Sequence, residues 1–279
     1  MSYTIGHWSG QFGNNIQQTA NAIMLSESKK TNFIQNLDHE IINKFTISFG
    51  DKEQESLLSG RFFAWQQWYN STTDLFEGGN EIGLPREYLY SNMRRICREY
   101  IAPNLKVNVQ EPFDDDTIVI HLRSSDVYHK IFDPPTNYVQ NPLVFYLNLI
   151  DSFKDVIIVT QQDRNNPLIF ELEKIDRIKI QHLSNAEDIA TIMRAKHVGL
   201  SGVGTFAMAS ALCSSNVTDI YTTNLLLTEN LNHSIFYGTD VTVHEMELED
   251  YIKIHPHEGG GWYNTEEQRN FIVNYGLNK

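Results

Sequence analysis

The chain has 279 residues, 41% of them hydrophobic and 11% aromatic, enough to bury a sizeable core as one large domain or two modest ones. Its formal net charge of −13, from 22 Lys plus Arg against 35 Asp plus Glu, sets long-range repulsion against nucleic acid and anionic membranes and excludes a general nucleic-acid binder. A small phosphorylated ligand stays open, because one Arg and a few backbone donors can hold it. Cys97 and Cys213 stand in apolar, helical-looking settings and point to reduced core thiols, while His255 and His257 lack a convincing ligand spacing, so no metal site is expected. The first fifteen residues carry neither a basic segment nor a long apolar run. The expectation is a soluble cytoplasmic protein without signal peptide or membrane span, in which the sequons at Asn70, Asn216 and Asn232 play no part.

In chain order, Tyr3 to Trp8 predicts a first strand, then a turn through Gly10 and Gly13 to Asn14 and Asn15, then a helix over Ile16 to Ser28. Such a turn aims backbone N–H groups and short amides at a ligand, but it is neither a Walker loop nor GxGxxG. Thr31 to Asn36 predicts a second strand, followed by the polar group Asp38, His39 and Glu40. Residues 61–69 are dense in aromatics, with Trp65 and Trp68, and run into a polar loop carrying Asp74. Aromatic faces beside carboxylates suit a sugar acceptor, and an amphipathic core helix with a solvated loop fits equally. Pro85 to Tyr100 predicts a helix with Arg94, Arg95 and Arg98 on its solvated face.

The central stretch is Thr117 to Asp126, in which a β-branched run passes without a break into His121, Arg123, Ser124, Ser125 and Asp126. A strand here would deliver Arg123, a planar fork suited to two phosphate oxygens, to the ligand-binding end of a sheet. The plain alternative is an Arg paired with an Asp at the end of a strand. Beyond a loop over 133–138, a helix is expected over Pro142 to Phe153, a strand over Val156 to Thr160, and a short helix from Ile169 to Ile175. Then come a strand over Ile178 to His182, a helix over Asn185 to Lys196 with Glu187 and Asp188 at its positive end, and a strand over Val198 to Ser201. A glycine turn through Gly202 and Gly204 to Thr205 leads into a helix over Phe206 to Cys213. This alternation predicts a doubly wound parallel sheet. His244 to Asp250 is an acidic, solvated run, and residues 259–263 form a flexible joint before a helix over Thr265 to Tyr275, capped by Thr265 and Gln268.

Three of these stretches together resemble the fucosyltransferase-like superfamily of glycosyltransferases, which holds the protein O-fucosyltransferases and the α1,2- and α1,6-fucosyltransferases. Gly10-Gln11-Phe12-Gly13-Asn14-Asn15 is similar to its G-R-[FL]-G-N-Q, and His121-Leu122-Arg123 with Asp126 to its H-x-R-x-x-D. The segment from Glu187 and Asp188 through Ala195 to Ser201, Gly204, Thr205 and Phe206 is similar to its E-D-x-x-x-[ML]-x-x-A, strand, S-T-F pattern. Asn15 stands for the family Gln, Gly204 for the Ser of S-T-F and Gln11 for the Arg.

The resemblance implies an α/β, GT-B-like fold of two interlocked Rossmann-like domains, divided as 1–112 for the acceptor, 113–258 for the nucleotide sugar and 259–279 as a C-terminal crossover. It implies a metal-independent transfer of a sugar, fucose from GDP-fucose or xylose from UDP-xylose, to a glycan or glycopeptide hydroxyl. Arg123 would hold the diphosphate, with Gly13, Asn15, His121, Asp126, Ser201, Gly204, Thr205 and Phe206 around the donor and Glu187 or Asp188 toward the nucleoside. Asn14 would sit near the transferred sugar, and Asp38, His39, Trp65 and Trp68 would meet the acceptor. An inverting reaction needs a base, for which Asp74 is the candidate and Asp38, His39 and Asp126 are rivals. The competing reading is a non-catalytic nucleotide-sugar or glycan-binding protein on the same fold. A dinucleotide-dependent oxidoreductase lacks its GxGxxG.

Overall fold

The structure is a computed structural model that describes residues 2–8, 10–50, 55–58, 84, 86–133, 136, 138–202, 204–225, 233–248, 251 and 261–277, with backbone alone at 55–58 and 86. Strand β1 (Ser2–Ile5) ends short of Trp8, and helix α1 (Phe12–Ser28) starts immediately after Gln11. Gly13, Asn14 and Asn15 therefore form the first helical turn instead of preceding it. The left-handed backbone of Gly10, φ +74°, makes the sharp entry, a conformation that costs glycine little. Strands β2 (Asn32–Gln35), β3 (Phe45–Ile47) and β4 (Glu55–Leu58) complete a sheet of order β3-β2-β1-β4, parallel except for β3.

Helix α2 (Arg86–Ile96) runs on into a π-helical turn, Cys97–Ile101. Arg94 is not on a solvated face, as expected above. Its side chain is 4% exposed, Nη1 donates to the Ala211 carbonyl at 2.9 Å, and Nε pairs with Asp240 at 2.5 Å. Arg98 reaches the same carboxylate at 2.8 Å. Cys97 and Cys213 are free and buried, and burial, with Cys213 nearby, pushes the Cys97 thiol up.

The second sheet is built from β5 (Thr117–Leu122), α3 (Leu143–Ser152), β6 (Asp155–Thr160), α4 (Leu168–Leu172), β7 (Ile178–Gln181), α5 (Asn185–Arg194) and β8 (His197–Gly199). Helix α6 (Phe206–Cys213) follows, then β9 (Asp219–Thr223), β10 (Thr242–Met246) and α7 (Glu266–Asn274). The acidic run expected to be merely solvated thus begins as the edge strand β10. All six strands are parallel, in the order β10-β9-β8-β5-β6-β7. Counted from β5, this is the doubly wound order 3-2-1-4-5-6, whose direction of winding reverses between β5 and β8. Every residue of β5 is buried, which is why its sequence reads as an apolar run and not as an alternation.

Two compact units result. One comprises Met1–Val109, Thr205–Ser215 and Thr228–Asp240, and the other Gln110–Gly204, Asn216–Leu227 and Val241–Lys279. The chain returns to the first unit twice, so a single cut at residue 112 does not describe it. Helix α6 belongs with α1, because its small side chains and Gly13 allow close approach. Trp262, placed by the sequence in a flexible joint, is fully buried, with Nε1 donating to the Val127 carbonyl at 2.8 Å. Thr265 caps α7 by accepting from the Gln268 backbone, as its spacing predicts. Both units are α/β layers on largely parallel sheets, the class expected of a GT-B-like chain. Among the described residues no helix is long and apolar enough to cross a membrane.

Candidate functional site

In an open α/β sheet a ligand binds beyond the carboxyl ends of the strands where the winding reverses. In the second unit that point lies between β5 and β8, and the chain places Arg123 directly after one and Ser201 to Gly204 after the other. The Arg123 guanidinium stacks 4.4 Å from the centre of the Tyr138 ring, and its Nη2 donates to both carboxylate oxygens of Asp126 at 3.1 and 3.2 Å. The Asp126 carboxylate is 66% exposed and the Arg123 side chain 17%, so solvent screens the pair from the carboxylate side. The guanidinium fork that meets the carboxylate matches two phosphate oxygens equally well.

The loop that carries Arg123 is fastened from the end of β6. Asn166 Nδ2 donates to the Arg123 carbonyl at 2.8 Å, its backbone N–H donates to Ser124 Oγ at 3.0 Å, and the Ser124 N–H donates to Gln161 Oε1 at 2.5 Å. Ser125 adopts a left-handed backbone, φ +52°, and its N–H donates to Asp163. Asn141 does the same work after β8, donating to the Leu200 carbonyl at 2.9 Å while accepting from the Thr223 hydroxyl at 2.8 Å. Sequence reasoning missed Tyr138, Asn141, Gln161 and Asn166, whose residue types carry no local signal.

His121 is delivered to the interior, not to a ligand. Its ring is 4% exposed and lies 3.1 Å from Ser201 Oγ through Nδ1. Burial, with the charge of Arg123, pushes its pKa down to about 3, so the ring is neutral. His121 and Ser201 pin β5 to the segment after β8. A side chain on Gly204 would begin 3.5 Å from Ser201 Oγ and 3.7 Å from Arg123 Nη1, so the turn lies directly beside the guanidinium.

The first unit assembles neutral amides. A Cβ on Gly13 would come within 2.6 Å of the Thr205 carbonyl carbon, so α1 and α6 are in backbone contact there. Phe12 and Phe206 meet edge to face at 5.7 Å, and the Thr205 hydroxyl donates to Asn14 Oδ1 at 3.3 Å. The Asn15 amide donates to Gln18 Oε1 at 3.2 Å and faces His39 Nε2 at 3.0 Å. His39 Nδ1 accepts from the N–H groups of Ile41 and Ile42 at 2.9 and 3.0 Å, so the proton must be on Nε2, which donates to Asn15 Oδ1. Burial lowers the pKa of this imidazole further. Both nitrogens are committed, which removes His39 as a rival base in this arrangement.

Asp38, beside it, is 97% exposed, pairs with Lys44 at 2.8 Å and has its pKa lowered by that contact. Glu187 is spent on a capping box with Ser184 at the start of α5, and Asp188 accepts from Gln181, with burial raising its pKa to about 6. Neither is gathered with Arg123 through these contacts. Asp74, Trp65 and Trp68 lie outside the described residues. Among the described residues no group of three His, Cys, Asp or Glu side chains is placed to hold a metal ion.

The class defined by these elements is a doubly wound α/β protein with a cationic switch point in one unit and an amide-lined helix start in the other. No family model matches the chain, and no curated protein matches it. Among solved structures it is similar to POFUT1 in complex with GDP-fucose, at 11% identity over 77% of this chain and 96% of that one, with a TM-score of 0.40. It is also similar to POFUT1 in complex with GDP, at 12% identity over 77% and 96% of the two chains, with a TM-score of 0.37.

Proposed function

We propose that the chain is a glycosyltransferase that moves a sugar from a nucleotide sugar to a glycan hydroxyl. The observation that carries this reading is the position of Arg123 at the β5–β8 switch point, stacked on Tyr138 and beside the glycine turn at Gly204. The acceptor oxygen forms a bond to the anomeric carbon while the bond from that carbon to the diphosphate oxygen breaks, and the acceptor proton passes to a carboxylate, for which Asp74 is proposed. Arg123 takes up the charge that develops on the leaving diphosphate, without a metal, and Asn14 orients the sugar. GDP-fucose and UDP-xylose are the donors to try.

The test is calorimetric titration with GDP, UDP and their sugars, followed by assay for slow hydrolysis of whichever sugar nucleotide binds. Saturable binding lost in Arg123→Ala supports the reading. No binding of any nucleotide sinks it. The non-catalytic alternative gains from one observation, that His39 is held as a hydrogen-bond donor, and a protein that binds the donor but neither hydrolyses nor transfers it would be of that kind.

A further inference from the structure

Beside His39 the first unit has an open depression of about 430 Å³, lined by Leu37, Asp38, Ile42, Asn43, Lys44 and Lys106. Its volume is in the range of small-molecule sites. It is built on paired backbone: Asn43 N–H donates to the Asn104 carbonyl at 2.8 Å, Lys106 N–H to the Ile41 carbonyl at 2.7 Å, and Ile42 bridges Leu105. The two walls therefore hold a fixed spacing.

The charges on these walls do not cancel. Lys44 is matched by Asp38 at 2.8 Å, but Lys106 Nζ donates to the His39 carbonyl at 2.7 Å and forms no ion pair among the described residues. Its charge acts on Asp38 and on His39, where Glu40 opposes it from the other direction. Among the side chains that line the depression one positive charge is left over, on a protein whose net charge is −13.

We infer that this depression is a subsite for a sugar ring bearing one anionic substituent. Resting on the glycosyltransferase reading, it gives the acceptor a chemical class, an acidic glycan. Lys106, tethered in place by a backbone carbonyl, holds the anion. The exposed Lys44–Asp38 pair opens at small cost, freeing Lys44 for a second contact to the anion and Asp38 for ring hydroxyls. Leu37 and Ile42 supply apolar surface for the ring face, and Asn43 a further amide.

The test is an NMR titration of the full chain, without nucleotide, using methyl glucuronide, glucose 6-phosphate, methyl glucoside and inorganic phosphate. Saturable binding of the glucuronide or the sugar phosphate, at least tenfold tighter than the glucoside, is the expected result, and whichever of the two binds identifies the anion as carboxylate or phosphate. Lys106→Ala should weaken it roughly tenfold, the scale of one charge-assisted hydrogen bond, and Lys106→Arg should restore it. Both variants change an exposed side chain, and an unchanged melting temperature confirms their fold. Equal affinity for the glucoside, an unchanged Lys106→Ala, or phosphate binding as tightly as either acidic sugar (an adventitious ion only) overturns the inference. Because no nucleotide is present, failure here leaves the donor titration standing, and failure of the donor titration leaves this result standing.

Discussion

Both units begin alike, with a strand order that reads 3-2-1-4 from the first strand of each, yet the ends of those first strands carry opposite chemistry. After β1 come glycine and neutral amides, each oriented by a neighbour: Asn14 by Thr205, Asn15 by His39. After β5 comes a single strong cation, held from behind by Asn166 and flanked by an aromatic face. The difference is one of side-chain chemistry within a common frame. A fixed cation adds net positive charge where negative charge develops, whereas amides in a set orientation add dipoles, whose effect depends on the direction in which they point. In the proposed reaction the first unit orients the sugar and the second takes up the charge of the leaving diphosphate.

The strongest way to break this contrast is to remove the cation. Arg123→Ala should lower turnover by about 3–4 kcal/mol in transition-state free energy, the range for losing one preorganised donor to a developing anion. Stability should fall by about 1–2 kcal/mol, because the change removes the stack on Tyr138 as well as the ion pair with the exposed Asp126. Steady-state kinetics with the donor identified by titration, alongside a melting curve, reads both quantities. Turnover near that of the wild type would place the anion elsewhere.

The matching change in the first unit acts through packing instead of charge. Gly13→Ala introduces a methyl group 2.6 Å from the Thr205 backbone, where no flexible side chain can give way. The cost should approach the upper end of overpacking, about 3 kcal/mol, read as a fall in the urea midpoint. A variant as stable as the parent would show that α1 and α6 can separate.

Acid provides the third comparison, since two buried groups titrate with opposite sign. The pKa of His121 is 6.5 in its ordinary state and about 3 when folded, so between those values the unfolded chain binds more protons. Stability from this group is complete above about pH 6.5 and declines by roughly 2 kcal/mol on the way to about pH 5. Asp188 runs the other way: burial raises it from 3.8 to about 6, so its contribution is present below 3.8 and is lost as pH rises through 6. Urea denaturation of His121→Gln at several pH values should show a flatter acid limb than the wild type. An identical limb would mean that the imidazole is not buried neutral.

What could be read from the sequence divides along similar lines. The β5 run and Arg123 were legible because burial on both faces writes a continuous apolar stretch and a charge ends it. Likewise the alternation of strand and helix gave the second sheet. Arg94 was misread because its partner Asp240 lies 146 residues away, beyond any window of helix periodicity. Consecutive residues at Gly204 and Thr205 fall in different units, and no local pattern marks a chain that crosses there. The neutral clamps, Asn141 and Asn166, were invisible for a further reason. An amide's role is set by which carbonyl it meets, and that is decided only when the strands are in register.

Gly204 offers the smallest and most discriminating effect. The fucosyltransferase-like pattern has Ser at this place, and a Cβ here would meet Ser201 Oγ at 3.5 Å and Arg123 Nη1 and Cδ at 3.7 and 3.8 Å, all ordinary van der Waals distances. Its backbone is outside the positive-φ region, so no strain accompanies a side chain. Gly204→Ser should therefore leave stability within about 0.5 kcal/mol of the parent. The hydroxyl would lie next to the guanidinium, where a neutral donor can add one hydrogen bond to a phosphate oxygen, worth about 1 kcal/mol, or a gain of roughly fivefold in nucleotide affinity by calorimetry. Tighter nucleotide binding with unchanged melting assigns the turn to the anion. If the same substitution lowers the melting temperature and leaves affinity untouched, Gly204 serves the packing of β8, and the second unit's anion site extends no further than Arg123.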